Sequence, residues 1–197
     1  NWTINYYTIS ALGNGGTCSP STQSISHGSA SGVVTCTRSG YNFTGFTINP
    51  SANCGGTFNS TTGVCNSVVG PFSITAQWVI ANQAPTAPTT PYCMGTTNPT
   101  NVTTQTPYFS AIFNDPDTGN TGNYYEIEVN TASGFNGTVM WDSGSQSMTA
   151  TAIGSRSPNI YYDGSSLGWS GTTYYWRIRF WDNGGLVSPW SAVQNFK

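Results

Sequence analysis

The stretch TTYYWRIRFWD at residues 172–182 decides the fold of the second half of the chain. Apolar side chains occupy every second position in it, at Tyr174, Trp176, Ile178 and Phe180. Arg177 and Arg179 lie between them. Because successive side chains of a β-strand point to opposite faces, the pattern predicts a strand with one buried face and one solvent-facing face.

Two earlier stretches alternate in the same way and extend the prediction to a domain. In the first of them, one face of a strand carries Phe109, Ala111 and Phe113. In the second, one face of the next strand carries Tyr125, Ile127 and Val129. Strands at this spacing, with turn residues between them, predict a β-sandwich.

Three motifs carry a family resemblance in this half: VMWDSG at 139–144, GTTYYWRIRFWD at 171–182 and SPWS at 188–191. Together they resemble a fibronectin type III-like module of the bacterial kind, found in surface proteins and beside α-L-rhamnosidase catalytic domains. The resemblance covers about residues 85–197 and implies an immunoglobulin-like sandwich. It also implies that Tyr174 is the tyrosine corner, a structural hydrogen bond to the backbone.

A Pro/Thr stretch, APTAPTTP at residues 84–91, predicts a linker between two modules. Proline lacks the N–H that a sheet ladder needs and favours an extended, semi-rigid spacer. All seven acidic residues and four of the five basic residues follow residue 84. We therefore expect one module at residues 1–83 and a second, sandwich module at residues 92–197.

The first module is also predicted to be all-β, with short strands at 7–12, 33–37, 43–48 and 72–80 separated by Gly/Asn turns. Its motifs are GGTCSP (15–20), GY (40–41), INP (48–50), CGGT (54–57) and ITAQW (74–78). They resemble the internalin-type B repeat of bacterial and archaeal surface proteins. That resemblance implies a small β-grasp-like fold.

The five cysteines indicate disulfides, because the chain has a single histidine and no C-x-x-C pair for zinc or thioredoxin-like chemistry. Cys18 and Cys36 lie in consecutive predicted strands, and Cys54 and Cys65 flank a polar turn. We propose these two pairs, although four cysteines allow three connectivities. Cys93 is left as a free thiol, or as one that pairs across modules or between molecules.

The first residues resemble the end of the first module, since NWTIN at 1–5 is similar to QWVIAN at 77–82. Trp2, Ile4 and Tyr6 alternate as a half-buried strand does, and such a strand needs a sheet edge. Residues 1–6 are therefore interpreted as the last strand of a preceding repeat or as a strand donated to a neighbouring copy.

Composition excludes several functions. Only 6% of the residues are charged, against roughly 25% in an ordinary soluble domain. Five basic residues cannot neutralise a row of phosphates or bind an acidic membrane, so nucleic-acid binding and direct membrane insertion are not expected. With His27 as the only histidine and no G-x-S-x-G elbow, a Ser-His-Asp triad is not expected either.

Two clusters of acidic residues are candidate sites. Glu126 and Glu128 have the spacing of a glycosidase pair, but Arg177 and Arg179 repeat it on a predicted neighbouring strand, which favours a solvent-facing ladder of ion pairs. In the turn DPDTGN at residues 115–120, the side-chain oxygens of Asp115, Asp117 and Asn120 are of the kind that binds Ca²⁺. The same residue types are also ordinary turn formers, and that interpretation is favoured. Apart from calcium at this turn, no cofactor is expected.

The remaining candidates concern sugars. The aromatic residues interpreted as either core or sugar-stacking platform are Trp141, Trp169, Trp181, Trp190, Tyr161 and Tyr162. Alternation places Trp181 on the face of Arg177 and Arg179. Five N-x-S/T sequons are candidate glycosylation sites, at Asn1, Asn42, Asn59, Asn101 and Asn136.

These features predict a non-enzymatic, extracellular structural or adhesive module of a microbial cell-surface protein, with a subunit of a surface filament or pilus as one form of it. The expected partners are neighbouring copies or repeats of the same protein, and glycans. The alternative is a carbohydrate-binding accessory region of a secreted glycoside hydrolase. Disulfides agree with either extracellular role.

Overall fold

The computed structural model describes residues 3–168 and 171–197. It confirms the all-β prediction, and the one short 3-10 turn among these residues is Ser51–Asn53. The chain divides into two compact units, Asn1–Ala81 and Asn82–Lys197. Each unit has its own apolar core.

The first unit is built on a mixed four-stranded sheet. Its strands are β1 (Tyr6–Leu12), β2 (Thr17–Ser19), β3 (Thr22–Ser26), β4 (Thr35–Thr37), β5 (Tyr41–Asn49), β6 (Phe58–Asn59), β7 (Val64–Cys65) and β8 (Phe72–Ile80). The sheet order is β3-β1-β8-β5, with β1 and β8 parallel at the centre and the outer pairs antiparallel. β2 pairs with β4, and β6 pairs with β7, in two small additional sheets.

The two faces of this sheet differ in chemistry. The inner face buries Ile9, Phe46 and Ile74 in the core. On the outer face, one polar row crosses all four strands, through Thr22, Ser10, Ser73 and Asn49. None of the residues in the four strands carries a charge, so the outer face presents hydroxyl and amide groups alone in its polar positions.

The second unit is a two-sheet sandwich. Its strands are β9 (Thr89–Cys93), β10 (Tyr108–Ile112), β11 (Thr121–Asn130), β12 (Val139–Asp142), β13 (Gln146–Ala152), β14 (Ile160–Tyr161), β15 (Tyr174–Asp182) and β16 (Gln194–Phe196). One sheet has the order β14-β10-β9. The other has the order β12-β11-β15-β16, and β13 also pairs with β11.

The alternating stretches form the sandwich core as predicted. Phe109, Phe113, Ile127, Trp176 and Phe180 are all fully buried. Each such side chain contributes about 1.5–3 kcal/mol when it leaves water, so these few positions account for much of the driving force. The stretch TTYYWRIRFWD contains β15, which alternates buried and half-buried residues over its whole length.

The Pro/Thr stretch at residues 84–91 belongs to the second unit and differs from the predicted spacer. Thr86 donates its N–H to the carbonyl of Asn114 at 3.0 Å, and residues 89–91 are already part of β9. Pro91 lies where the register of β9 shifts against β10, between the pairs Tyr92–Ser110 and Thr89–Ile112. A bulge in an edge strand leaves a residue without a ladder partner, so a proline is tolerated there.

The first strand completes the chain's own sheet. Tyr6 is the first residue of β1 and pairs with Ser26 of β3. Ile4 precedes the strand, and the side chains of Ile4 and Tyr6 are 63% and 64% exposed within this chain. Tyr6 points to the outer face of the sheet. Trp2 lies outside the described residues, and exchange of this segment with another copy stays a prediction.

Candidate functional site

The acidic and basic pairs form a ladder on the outer face of the larger sheet of the second unit. Glu126 lies opposite Arg179, and Glu128 lies opposite Arg177, across the β11–β15 pair. Arg179 donates from Nε to Oε2 of Glu126 at 2.8 Å, and its Nη2 lies 2.7 Å from the same oxygen. Arg177 donates from Nε and Nη2 to Oε2 of Glu128, at 3.0 and 2.6 Å. This is the cross-strand arrangement that the two-residue spacing predicts.

Aromatic rings enclose the two arginines. The guanidinium carbon of Arg177 lies 4.0 Å from the ring centroid of Phe135 and 4.5 Å from that of Trp190. The guanidinium carbon of Arg179 lies 4.4 Å from the centroid of Trp190 and 5.1 Å from that of Trp181. Each contact is a cation–π attraction worth about 0.5–1 kcal/mol at a half-exposed site.

Two serines hold Trp190 in this position. Ser188 donates its N–H to the carbonyl of Phe180 at 2.9 Å, and its hydroxyl accepts the N–H of Phe180 at 3.1 Å. Ser191 makes the same pair of bonds with Ile178, at 2.8 and 3.1 Å. The serine hydroxyl therefore replaces a strand carbonyl, and the segment between the serines is fixed along β15.

This geometry favours a structural role for the ladder. Both carboxylates are occupied by guanidinium hydrogen bonds on a sheet face, whereas a glycosidase needs one protonated carboxyl group and one ionised carboxylate on either side of a bound sugar. Trp181 and Trp190 are half-buried, with cations against their rings. Their rings serve the packing of the ladder.

The described members of the aromatic set interpreted as core or platform do not lie on one surface. Tyr162 is 3% exposed and donates its hydroxyl to the carbonyls of Met140 and Ser165, at 3.1 and 2.7 Å. Burial raises the pKa of Tyr162 to about 12. Trp141 packs against the core, whereas Tyr161 is 61% exposed. Tyr162 and Trp141 thus follow the core alternative, and Trp169 lies outside the described residues.

Tyr174 has the role that the family resemblance implies. Its ring is 5% exposed and packs on Phe196, with centroids 5.5 Å apart. The hydroxyl accepts the backbone N–H of Gly168 at 2.7 Å. The residue fixes a turn and is not offered to a ligand.

The acidic turn is occupied by hydrogen bonds within the second unit. Asp115 Oδ1 accepts the N–H of Asp117 at 2.8 Å, as turn-forming aspartates do. Asp117 accepts the backbone and side-chain N–H groups of Gln83, and Asn120 donates to Oδ1 of Asn82 at 2.7 Å. Among the described residues no group of three or more His, Cys, Asp and Glu suits a metal ion. Calcium at this turn stays a prediction.

The cysteines form the two proposed pairs. Cys18 is bonded to Cys36 across the β2–β4 sheet, and Cys54 is bonded to Cys65. Cys93 is a free thiol that is 1% exposed in the core of the second unit. Desolvation raises its pKa to about 12. A bond from Cys93 to another molecule or to the first unit is therefore not compatible with this structure, because the sulfur is inside the sandwich.

The described sequons are all at the surface. Asn42, Asn59, Asn101 and Asn136 are exposed, whereas Asn1 lies outside the described residues. Asn59 also accepts the N–H groups of Thr61 and Thr62 with its side-chain oxygen. Surface positions permit attachment of a glycan, and glycosylation stays a prediction. No helix in the described ranges has the length and apolar character needed to cross a bilayer.

Solved structures similar to this chain include two α-L-rhamnosidases. The enzyme from Dictyoglumus thermophilum is 25% identical, over 59% of this chain and 13% of its own, with a TM-score of 0.48. The Streptomyces avermitilis enzyme, complexed with L-rhamnose, is 25% identical over 56% of this chain and 10% of its own, with a TM-score of 0.47. A PKD domain of an M14-like peptidase from Thermoplasmatales archaeon SCGC AB-540-F20 is 18% identical over 59% of this chain and 97% of its own, with a TM-score of 0.35.

A family model described as "Rha78A-like, N-terminal immunoglobulin domain" matches residues 88–197. No curated protein matches the chain at a significant level. The match confirms the predicted resemblance of the second half to the modules found with α-L-rhamnosidases, while the internalin-type resemblance of the first half stays a prediction. The family is an immunoglobulin domain, in agreement with the prediction that the chain is not an enzyme. On a match that spans more than half of its length, the chain belongs to the family of Rha78A-like N-terminal immunoglobulin domains.

Proposed function

We propose that this chain is a non-catalytic, carbohydrate-binding accessory region of a secreted glycoside hydrolase. The observation that carries the proposal is the family match over residues 88–197. The ladder supports the non-catalytic part of the proposal, because Glu126 and Glu128 of β11 are bound to Arg179 and Arg177 rather than presented to a substrate.

The first unit supports secretion. Its two disulfides persist in an oxidising compartment, where secreted proteins fold. The uncharged outer face of its sheet adds polar contact area without charge repulsion. We interpret this unit as a repeat module of the internalin B type, which the parallel pair β1–β8 at the centre of the mixed sheet supports.

The sequence favours an adhesive or filament role over the accessory role. That adhesive or filament role stays a prediction. The family match is better explained by an accessory role, since the resemblance that identifies the second unit is to modules beside catalytic domains. Neighbouring copies as partners are therefore a secondary expectation, and glycans are the primary one.

Affinity electrophoresis tests the proposal. The purified chain is run through gels that contain one polysaccharide each, from a panel of neutral and acidic, rhamnose-containing and rhamnose-free polymers. Retardation that a soluble fragment of the same polysaccharide reverses is the expected result. If every gel of the panel leaves the mobility unchanged, the carbohydrate-binding role is refuted. Hydrolysis of an aryl α-L-rhamnoside by the chain alone would contradict its non-catalytic part.

A further inference from the structure

A second aromatic surface lies on the opposite side of the sandwich from the ladder. We define the tyrosine face as Tyr92, Tyr108, Tyr161 and Arg156, on the outer side of the β14-β10-β9 sheet. Phe109 and Ala111 of β10 are fully buried. Tyr108 precedes Phe109 and Ser110 lies between the two, so the side chains of Tyr108 and Ser110 point to the outer side of the sheet. Tyr161 lies opposite Tyr108, and Tyr92 lies opposite Ser110.

The tyrosines on this face leave ring surface in water. Tyr108 and Tyr161 meet edge to face, with their centroids 5.9 Å apart. Tyr161 is 61% exposed, so most of its ring has no cover within the chain. A tyrosine ring combines an apolar face with a hydroxyl group at its tip, the combination that binds surfaces which are partly apolar and partly polar. The C–H face and hydroxyl rim of a pyranose are such a surface.

Arg156 is fixed beside these rings. Its guanidinium carbon lies 4.0 Å above the centroid of Tyr92. Its Nη1 donates to the carbonyl of Thr90 at 3.0 Å and to the hydroxyl of Ser110 at 3.1 Å. Ser110 is 2% exposed, so the guanidinium rests on the sheet rather than extending into solvent. The charge is therefore held at one place on the tyrosine face.

The charge of Arg156 has no acidic partner in the part of the chain that the structure describes. Within residues 3–168 and 171–197 the two ion pairs involve only Arg177 and Arg179. The hydrogen bonds from Arg156 in the same part of the chain come from Nη1 alone, which leaves Nε and Nη2 for a ligand. An arginine that is ordered, aromatic-stacked and unpaired suits a carboxylate, which its planar fork binds through two parallel hydrogen bonds.

We infer that the tyrosine face is a binding site for a saccharide that carries carboxylates, that is, a polymer or oligomer containing uronic acid units. This inference rests on the proposed carbohydrate-binding function and names its site and sugar class. Ser110, on which the guanidinium rests, is two residues from Tyr108 on β10, about 7 Å along the strand. A sugar stacked on the exposed ring of Tyr161, which lies opposite Tyr108, thus places the carboxylate of a neighbouring sugar unit within reach of Arg156.

The test uses the full chain and two matched probes, a trimer of galacturonic acid and the same trimer with its carboxyl groups reduced to alcohols. Binding is measured by titration calorimetry. The chain is expected to prefer the charged trimer, and added salt is expected to weaken that preference. Tyr161→Ala is expected to weaken binding of both probes by about tenfold, a loss well above the error of the titration. Arg156→Gln is expected to remove only the preference for the charged trimer.

Tyr124→Ala is the matched control, because Tyr124 is a 45% exposed tyrosine on β11 of the other sheet. It is expected to bind like the parent chain. Equal binding of the two trimers, or an equal loss in Tyr161→Ala and Tyr124→Ala, overturns the inference while leaving a glycan-binding function in place. If neither trimer nor any polysaccharide of the panel binds, the proposed function fails with it. Unfolding midpoints of the variants separate lost binding from lost folding.

Discussion

The serine that fixes Trp190 against β15 offers a sharp test of how the second unit is held together. Replacing Ser191 by alanine removes one oxygen atom and leaves the backbone in place. In the native fold that oxygen accepts the N–H of Ile178 at 3.1 Å. Ser191 and Ile178 are 6% and 0% exposed, so water does not replace the lost acceptor without local opening.

The magnitude follows from the unsatisfied donor. A buried N–H group left without a partner costs about 1–3 kcal/mol, so Ser191→Ala is expected to lower the free energy of unfolding of the second unit by about 2 kcal/mol. Ser188→Ala has the same expected cost through the N–H of Phe180. The double variant is not expected to be additive, because both amides lie on one strand and hold one segment.

Urea unfolding followed by tryptophan fluorescence measures this loss, and hydrogen exchange of the Ile178 amide localises it. Ser145→Ala is the control, since Ser145 is exposed and its change is expected to stay within about 0.5 kcal/mol. If Ser191→Ala and Ser145→Ala unfold alike and the Ile178 amide exchanges at its parental rate, the serine hydroxyls do not hold the segment and the reasoning is refuted.

Three further predictions concern the thiol, the disulfides and the carboxylates. Burial raises the pKa of Cys93 from 9.0 to about 12, so the stability that the neutral thiol contributes is complete below about pH 9 and falls by up to roughly 1.4 kcal/mol per pH unit between these values. Cys93→Ala is expected to remove this decrease of the free energy of unfolding with rising pH. Labelling of the native thiol by a disulfide reagent at about pH 8 would contradict its burial. Reduction of the disulfides is expected to destabilise the first unit by about 2–4 kcal/mol per bond without affecting the second unit. The double variant Cys18→Ser, Cys36→Ser is expected to lose the share of one bond. Calorimetry with and without reductant measures both effects, and equal losses in the two units would count against this prediction. Glu126→Gln and Glu128→Gln are each expected to cost about 1 kcal/mol by chemical denaturation, and a glycosidase activity of the chain that either change abolished would show that the pair is catalytic.

Much of the second unit can be predicted from sequence, because one physical rule governs it. A strand with a buried face repeats every second residue, so β15 and the inward faces of β10 and β11 are visible as alternation. The same rule places Glu126 opposite an arginine once two strands are known to be neighbours. The same rule separates Tyr161 from Tyr162, because neighbouring residues of an extended segment point to opposite sides: Tyr161 ends β14 with its ring exposed, whereas the ring of Tyr162 is buried.

Other features depend on contacts that periodicity does not encode. Strand β3, with the sequence TQSIS, has a single apolar residue and forms because β1 offers it an edge. The extended Pro/Thr stretch has the composition of a spacer, yet it supplies β9 because a bulge accommodates Pro91. The tyrosine face is assembled from three strands, and the position of Arg156 on Tyr92 follows from hydrogen bonds to Thr90 and Ser110 that no spacing predicts.

The uncharged sheet of the first unit has a consequence for the conditions in which the protein can work. Acid denaturation is driven mainly by carboxylates that must take up protons when their native partners are lost. Residues 1–81 contain no aspartate or glutamate, and their ionisable side chains other than cysteine and tyrosine are Arg38 and His27. The fold of this unit therefore has almost no proton to gain on acidification. The first unit is expected to stay folded at a pH low enough to unfold proteins that depend on ion pairs. The second unit, which carries the carboxylates, sets the lowest pH at which the whole chain is folded.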